Sequence, residues 1–211
     1  MARSRCSLKG LARQGLKIVG VAGRDLYYGR SFLDEAASSA SVQLTSANII
    51  GTNGKAVYPL WLSIEVKGVE VAVASLAETL PRQAAPGSLT TSPPDSVIAT
   101  LEQTIPPNAK LRVLLTDLAE APLRTLLNQT SLFDVALTSS RQIYTATPFM
   151  VGSCVVIHPE PDGRSLEAFI IPPDLRVAAG WMLRRPIERT TPEDPQFTNW
   201  LNDCLGSESG R

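Results

Sequence analysis

The order of strand-like and helix-like segments constrains the fold of this 211-residue chain more than any other feature. Short apolar runs alternate with segments in which apolar residues recur every three or four positions. The predicted order is helix, strand, helix, strand, hairpin, helix, strand, helix, strand, hairpin. Such alternation indicates a mainly parallel sheet with right-handed helical crossovers, to which the hairpins add antiparallel strands. We therefore predict an α/β fold with mixed β-sheets flanked by helices.

Glycine, proline and apolar periodicity set the limits of these segments. The predicted helices cover residues 5–14, 30–40, 94–104, 119–129 and 195–205. The predicted strands cover residues 17–23, 42–48, 57–66, 69–76, 111–117, 133–139, 148–159 and 165–171. Residues 77–96, rich in Pro, Ser, Thr and Gly, are predicted to form a surface loop. Ser31 is the predicted cap of the second helix, and Pro161-Asp162-Gly163 is the predicted turn between the last two strands.

Composition excludes several classes of protein. Lys plus Arg equals Asp plus Glu at 20 each, so no net charge draws the chain to nucleic acid. No window approaches 18 uninterrupted apolar residues, so no membrane span is predicted. A centre built on imidazole ligands needs several histidines, whereas His158 stands alone. We therefore expect no nucleic-acid partner and no resident cofactor, with a divalent metal as the alternative.

The three cysteines, Cys6, Cys154 and Cys204, are far apart and form no C-x-x-C motif. This spacing excludes a zinc ribbon, a thioredoxin-type redox pair and c-type haem attachment. One disulfide could form, but the number of cysteines does not by itself indicate an oxidising compartment. Cys154 lies in a predicted strand and Cys204 on the apolar face of a predicted helix, so both are interpreted as core residues.

Polar residues follow three of the predicted strands. Arg24-Asp25 follows the first, Asp117 follows the central strand, and residues 139–142 (Ser-Ser-Arg-Gln) follow the next. In open α/β sheets, ligands bind outside the carboxyl ends of the strands. We therefore expect these three turns to lie side by side on one rim.

Each of these residues has a structural and a functional interpretation. Arg24 and Asp25 form either a loop ion pair or a site in which Arg24, joined by Arg141, binds an anion, because guanidinium groups bind phosphate through two hydrogen bonds. Asp117 either caps the following helix or contributes to a metal site. Ser139 and Ser140 belong to a turn, and without a nearby histidine a Ser-His nucleophile is excluded.

Two further features have a structural and a functional interpretation. His158 lies between a strand and a proline turn and is interpreted as a structural histidine. The C-terminal helix has an apolar stripe made of Phe197, Trp200 and Leu201. Such a stripe is either core or a docking face for a protein partner.

Several short elements follow one another in an informative order. They are Gly23 after a strand, Tyr28-Gly29, 46-SANI-49, Tyr58-Pro59, Lys67-Gly68-Val69, 113-VLLTDL-118 and 134-DVALTSS-140. In this order and spacing, from about residue 10 to about residue 172, the chain resembles the 5′-nucleotidase branch of the calcineurin-like metallophosphatases. The Ser-Ala-Asn-Ile element is the most specific part of this resemblance.

The resemblance implies a metallophosphatase-like αββα sandwich in which two metal ions activate water and clamp a phosphate. The family's Gly-Asn-His turn falls on Gly23-Arg24-Asp25, so Arg24 replaces the asparagine and Asp25 the acid–base histidine. A ligand histidine falls on Asp117, and the two histidines of a Gly-His-x-His turn fall on Ser140 and Gln142. Two opening motifs, Asp-x-His and Gly-Asp-x-x-Asp, would precede residue 10, so the first βαβ unit is expected to be missing.

These substitutions predict that metal ligation is lost, because two carboxylates would hold Mg²⁺ or Ca²⁺ only weakly. The expected protein is a non-catalytic binding or scaffold domain of a larger protein or assembly. The alternative is a metal-dependent 5′-nucleotidase-like hydrolase whose first metal motifs are missing from this chain. The expected partners are a phosphate or nucleotide-like anion and a protein that contacts the C-terminal helix.

We expect a metallophosphatase-like domain over residues 10–172 and a C-terminal extension over residues 173–211. The family is commonly periplasmic or extracellular, but the chain shows no signal peptide, so its location stays open.

Overall fold

The computed structural model describes residues 1–80, 89–140, 147–160, 164–188 and 190–209. The helices in these ranges are α1 (Ala2–Arg13), α2 (Arg30–Ala40), α3 (Pro94–Thr104), α4 (Glu120–Gln129) and α5 (Pro195–Ser209). The strands are β1 (Ile18–Gly20), β2 (Gln43–Thr45), β3 (Ile49–Gly51), β4 (Trp61–Val66), β5 (Val69–Leu76), β6 (Leu89–Thr91), β7 (Leu111–Thr116), β8 (Val135–Thr138), β9 (Phe149–Val151), β10 (Cys154–Ile157), β11 (Ser165–Ile170) and β12 (Trp181–Pro186).

A six-stranded mixed sheet with the order β4-β5-β7-β8-β10-β9 forms the centre of the fold. Strands β5, β7, β8 and β10 run parallel, whereas β4 and β9 are antiparallel to their neighbours. Pro59 precedes β4, which lies at one edge of the sheet, where a proline removes no ladder hydrogen bond. The mixed α/β fold predicted from the alternation of segments is confirmed.

Alternate residues of the central strands pack on opposite faces of the sheet, as the two-residue period of a strand requires. Ala74, Leu114 and Val156 face α3 and α4, where they pack with Leu101 and Leu123 in the largest cluster of the core. The opposite face is also covered, so these strands are apolar on both sides. The resulting layers are those of the expected sandwich.

A small parallel sheet, β1–β2, lies on the second face of the central sheet. Ile18 of β1 packs against Val71 and Val73 of β5. A Cβ atom on Gly20 would lie 2.7 Å from the Cβ atoms of both Leu115 and Ser75, closer than side chains tolerate. Glycine at this position therefore lets the end of β1 lie directly over β5 and β7.

Helix α2 starts differently from the prediction. Ser31 lies inside the first turn, and the residue that precedes the helix is Gly29, whose φ is 85°. Glycine adopts this left-handed conformation without the cost of a Cβ clash, so the backbone and not a hydroxyl cap sets the start of the helix. The predicted cap is wrong, although the predicted buried stripe, which includes Leu33 and Ala37, is confirmed.

Three features of the strand pairing also differ from the prediction. Residues 77–96, predicted to be a loop, contain the short strand β6, which pairs with β3 over three residues. So short a strand shows no alternation of apolar and polar residues by which the sequence could reveal it. The run 148–159 is two strands, β9 and β10, joined by a turn at Gly152 with φ of 56°. Strand β11 pairs with β12 instead of with this run, so the predicted second hairpin is wrong, and its turn at residues 161–163 lies outside the described residues.

The C-terminal helix α5 packs against α1. Phe197 and Trp200 lie over Gly10, where an added Cβ would be 3.1 Å and 3.4 Å from their rings. Cys204 and Cys6 form a disulfide across the same contact, which is the one disulfide that the sequence left possible. Cys204 is buried, as its interpretation as a core residue requires. The apolar stripe of α5 is therefore used within the chain. The residues after 172 contribute β12 and α5, and their division from residues 10–172 stays a prediction.

Candidate functional site

A cleft of about 570 Å³ opens where β1, β5, β7 and β8 end. Its walls are the backbone and side chains of Gly20, Ala22, Gly23, Arg24, Asp25, Glu78, Thr79, Asp117, Ser139 and Ser140. The three turns expected on one rim are thus brought together. The carboxyl ends of β5, β7 and β8 coincide because these strands are parallel neighbours in the sheet.

The turn after β1 holds Asp25 by hydrogen bonds to its own backbone. The Ala22 amide donates to Oδ2 of Asp25 at 2.8 Å, and the Asp25 amide donates to the Ala22 carbonyl oxygen at 3.1 Å. Loss of surrounding water at the cleft wall raises the pKa of Asp25; the Ala22 amide lowers this pKa in part and the nearby Asp117 raises it further. Asp25 therefore holds its proton to a higher pH than an ordinary aspartate.

Arg24 lies on the cleft wall with an exposed side chain. Within the described residues, no ion pair joins Arg24 to Asp25, so the expected loop ion pair is wrong. The physical reason is local: the Asp25 carboxylate turns back to the Ala22 amide that a short 3₁₀ turn leaves free.

Asp117 connects two strand ends. Its Oδ1 accepts a hydrogen bond of 2.7 Å from the amide of Glu78, which follows β5. Helix α4 has Ala119 as its N-cap residue and receives no side-chain cap, so the predicted capping role of Asp117 is wrong. A carboxylate at the end of one strand can accept a hydrogen bond from a backbone amide of the adjacent strand. Here the amide of Glu78, just after β5, is that donor.

The end of β8 is fixed by His158. Its Nε2 donates to the Ser140 carbonyl oxygen at 2.8 Å, and the Ser140 amide donates to Oγ1 of Thr138 at 3.2 Å. This contact agrees with the structural interpretation of His158, whose imidazole supports the loop and does not line the cleft. The expectation that no histidine lies near Ser140 is wrong, because the fold brings His158 to it from 18 residues away, through the Ser140 carbonyl oxygen. Arg141 and Gln142 lie outside the described residues, so their expected roles stay predictions.

Glu78 and Thr79, which line the cleft from the end of β5, were not found from the sequence. The signal was present, because Glu78 follows a buried strand as directly as Asp117 does. Buried Asn48 of the Ser-Ala-Asn-Ile element holds this turn. Its Nδ2 donates to the carbonyl oxygens of Ala77 at 2.8 Å and Ser92 at 3.0 Å, and its Oδ1 accepts from the Ala77 amide at 2.8 Å.

The donor set that the described residues supply to the cleft does not fit a pair of catalytic metal ions. Asp25, Glu78 and Asp117 are the carboxylates on its wall, and no histidine is among the described lining residues. Asp25 and Asp117 each use one oxygen for a backbone amide. Across the parts of the chain that the structure describes, no three His, Cys, Asp or Glu side chains converge to hold an ion. Arg24 adds a positive charge to the same wall.

No protein-family profile matches this sequence, and no curated protein is detectably similar to it. Solved structures are similar in fold. The sulfate thiohydrolase SoxB from Thermus thermophilus superposes with a TM-score of 0.82 at 16% identity, covering 99% of this chain and 40% of that chain. A 5′-nucleotidase precursor from the same organism superposes with a TM-score of 0.75 at 12% identity, covering 100% and 46%. The calcineurin-like phosphoesterase YfkN from Bacillus subtilis gives 0.68 at 14% identity, covering 97% and 75%.

These similarities define the class of fold. The chain has the metallophosphatase-like α/β fold of 5′-nucleotidases and calcineurin-like phosphoesterases, as the resemblance in sequence implied. It spans less than half the length of the thiohydrolase and of the nucleotidase. The fold is related to that of enzymes, and the chemistry of this chain depends on its own cleft. In the residues that the structure describes, no helix is long and apolar enough to cross a bilayer.

Proposed function

We propose that this chain is a non-catalytic metallophosphatase-like domain that acts as a binding or scaffold module in a larger protein or assembly. One observation carries the proposal. At the strand ends where the resembling family places metal ligands, the cleft presents Arg24, Asp25, Asp117 and Ser140.

The chemistry of these side chains supports the absence of catalysis. Hydrolysis with two metals needs both ions held firmly enough to activate water and clamp a phosphate. Zinc and manganese sites of this kind use imidazole together with carboxylate ligands. Carboxylates alone favour Mg²⁺ or Ca²⁺ with several waters, and Arg24 opposes any dication on the same wall.

We predict that the purified chain holds no stoichiometric metal and hydrolyses no phosphoester. Metal content is measured by mass spectrometry, and turnover is measured with p-nitrophenyl phosphate and nucleoside 5′-monophosphates in Mn²⁺, Zn²⁺ or Mg²⁺. The matched control is Asp117→Ala, which removes a carboxylate of the cleft. Turnover that is lost both on chelation and in Asp117→Ala would overturn the proposal in favour of a metal-dependent hydrolase. Turnover that is unchanged in Asp117→Ala but elutes together with the chain on size exclusion would also contradict the proposal.

We further propose that the cleft binds a small phosphate-like or nucleotide-like anion through Arg24. Its exposed guanidinium lies on the wall together with the hydroxyl groups of Thr79 and Ser139. The carboxylates repel an anion, but Asp25 and Asp117 each share an oxygen with a backbone amide, which offsets part of their charge. We expect weak binding, because a single guanidinium stands among carboxylates on this wall.

Anion binding should depend on pH through Asp25. Because the pKa of Asp25 is raised from the ordinary 3.8, lowering the pH from 7 protonates this carboxylate at a higher pH than an ordinary aspartate and removes a repelling charge. Sulfate is the probe, since its own charge is constant over this range. We expect its thermal shift to grow as the pH falls, to be large already at pH 7 in Asp25→Asn, and to vanish in Arg24→Ala. A shift that persists in Arg24→Ala would contradict the proposed site.

A further inference from the structure

The small sheet formed by β11 and β12 has one apolar face that the rest of the described chain does not cover. Residues paired across an antiparallel ladder project to the same side. Ala168 pairs with Leu183, Ile170 with Trp181 and Leu166 with Arg185, so these six side chains share one side. The Ile187 amide donates to the Arg164 carbonyl oxygen at 2.8 Å, which extends the ladder by one pair. We call this side the outer face.

The opposite side of the same sheet packs against the central sheet. Phe169 and Met182 pack against Val155, Ile157 and Val177, which joins the hairpin to the central sheet. On that side, Glu167 and Arg184 also form an ion pair at 2.6 Å, with the Glu167 side chain only 7% exposed. The hairpin is therefore anchored to the central sheet through this side, and its outer face points away from that contact.

The outer face exposes several large apolar side chains: Leu166 at 67%, Leu183 at 57%, Trp181 at 56% and Ile187 at 52%. At about 200 Å² for a large side chain, these fractions correspond to roughly 450 Å² of apolar surface. An exposed apolar patch of that size on one element is often functional in a globular domain. The apolar stripe of α5 is already packed on α1, so it does not compete for this role.

The arrangement of residues indicates the partner. Along β12, Trp181 lies at one end, Leu183 in the middle and Arg185 towards the other end. A two-fold axis near Leu183 would place Arg185 of each copy over Trp181 of the other, a cation–π contact, with the leucines at the centre. The paired residues of this face include no acidic side chain, so no carboxylate is buried by such a pairing.

We propose that the outer face of the β11–β12 hairpin is a homodimer interface and that its occupant is a second copy of this chain. The available area agrees with this occupant. A standard interface buries about 800 Å² per partner, and about 65% of a homodimer interface is apolar. That fraction is about 520 Å², close to the roughly 450 Å² offered by the four large side chains.

The test is the oligomeric state of the 211-residue chain under non-reducing conditions, measured by analytical ultracentrifugation across micromolar concentrations. We expect a reversible dimer that dissociates on dilution. Leu183→Glu should raise the dissociation constant at least 100-fold. The matched control is Leu11→Glu, a leucine of similar exposure (55%) on α1, which should dimerise like the wild type. A chain that stays monomeric throughout, or a dimer unaffected by Leu183→Glu, would overturn the proposal.

A cross-linking variant tests whether a two-fold axis passes near Leu183. In Leu183→Cys the new thiols of two copies would lie close together, so oxidation should give a covalent dimer in high yield. The equally exposed Leu11→Cys should give little. The native free thiol, Cys154, is buried and does not interfere. Equal yields from the two variants would show random collision and contradict the interface, and circular dichroism establishes that each variant is folded.

Discussion

Reduction of the Cys6–Cys204 disulfide should lower the free energy of unfolding by about 5 kcal/mol. The bond joins cysteines 198 residues apart, so it closes almost the whole chain into one loop. In the chain-entropy model, the stabilisation that a cross-link provides increases with the length of the loop it closes. For a loop of this size the model gives about 5 kcal/mol. Few single changes in this protein should destabilise it as much, because typical domains are stable by only about 5–15 kcal/mol.

The measurement is denaturant unfolding with and without a reductant. The double variant Cys6→Ser/Cys204→Ser should unfold at the midpoint of the reduced wild type, and the reductant should no longer affect it. Cys154 is retained in both proteins, since it is buried in the core and outside the bond. An unchanged midpoint on complete reduction of the wild type would contradict the expected contribution.

The same bond bears on where the protein folds. Structural disulfides persist in oxidising compartments and are rare where thiols are kept reduced. The number of cysteines gave no indication of such a compartment, whereas the pairing of two of them across α1 and α5 does. We therefore propose that the domain folds in an oxidising compartment, which fractionation of the native protein with thiol labelling would test.

Replacement of Asn48 by alanine should destabilise the domain by about 3 kcal/mol. Asn48 is fully buried and makes three side-chain hydrogen bonds, two of them to the backbone of Ala77. The variant would leave the amide and carbonyl of Ala77 and the carbonyl of Ser92 without these partners. Each buried polar group left unsatisfied costs about 1–3 kcal/mol, and partial relaxation keeps the total near the lower end.

The control is Asn53→Ala, which removes an exposed asparagine with one hydrogen bond, from the Lys55 amide. Its effect on the unfolding midpoint should be within about 0.5 kcal/mol, as for most surface changes. Because Asn48 fixes the turn that carries Glu78, the amide exchange of residues 77–79 should also speed up in Asn48→Ala. If both asparagine variants shift the midpoint equally, the network around Asn48 does not have the role described here.

The sequence contained enough information for the fold class and for the position of the cleft. The β-branched runs of β5, β7 and β8 and the helical periodicity between them indicate parallel neighbours with crossovers. Parallel neighbours end on the same edge, so the approach of Asp117 to Ser139 and Ser140 follows from strand order alone. Glu78 follows from the same rule, and it was missed because the proline-rich composition of residues 77–96 favoured a loop.

Only the tertiary structure decided which groups pair across that framework. Asp117 accepts from Glu78 and Asp25 from Ala22, and neither choice is visible in local sequence, because each depends on which amide the folded backbone leaves free. β6 pairs with β3, and β12 pairs with β11. The sequence of each of these strands, taken alone, is only a weak predictor of a strand and does not indicate its partner. The sequence thus determined the periodic elements and their order, since these depend on near neighbours in the chain. The disulfide, the outer face and the contacts of the cleft depend on residues brought together from far apart, and the packed fold alone determines them.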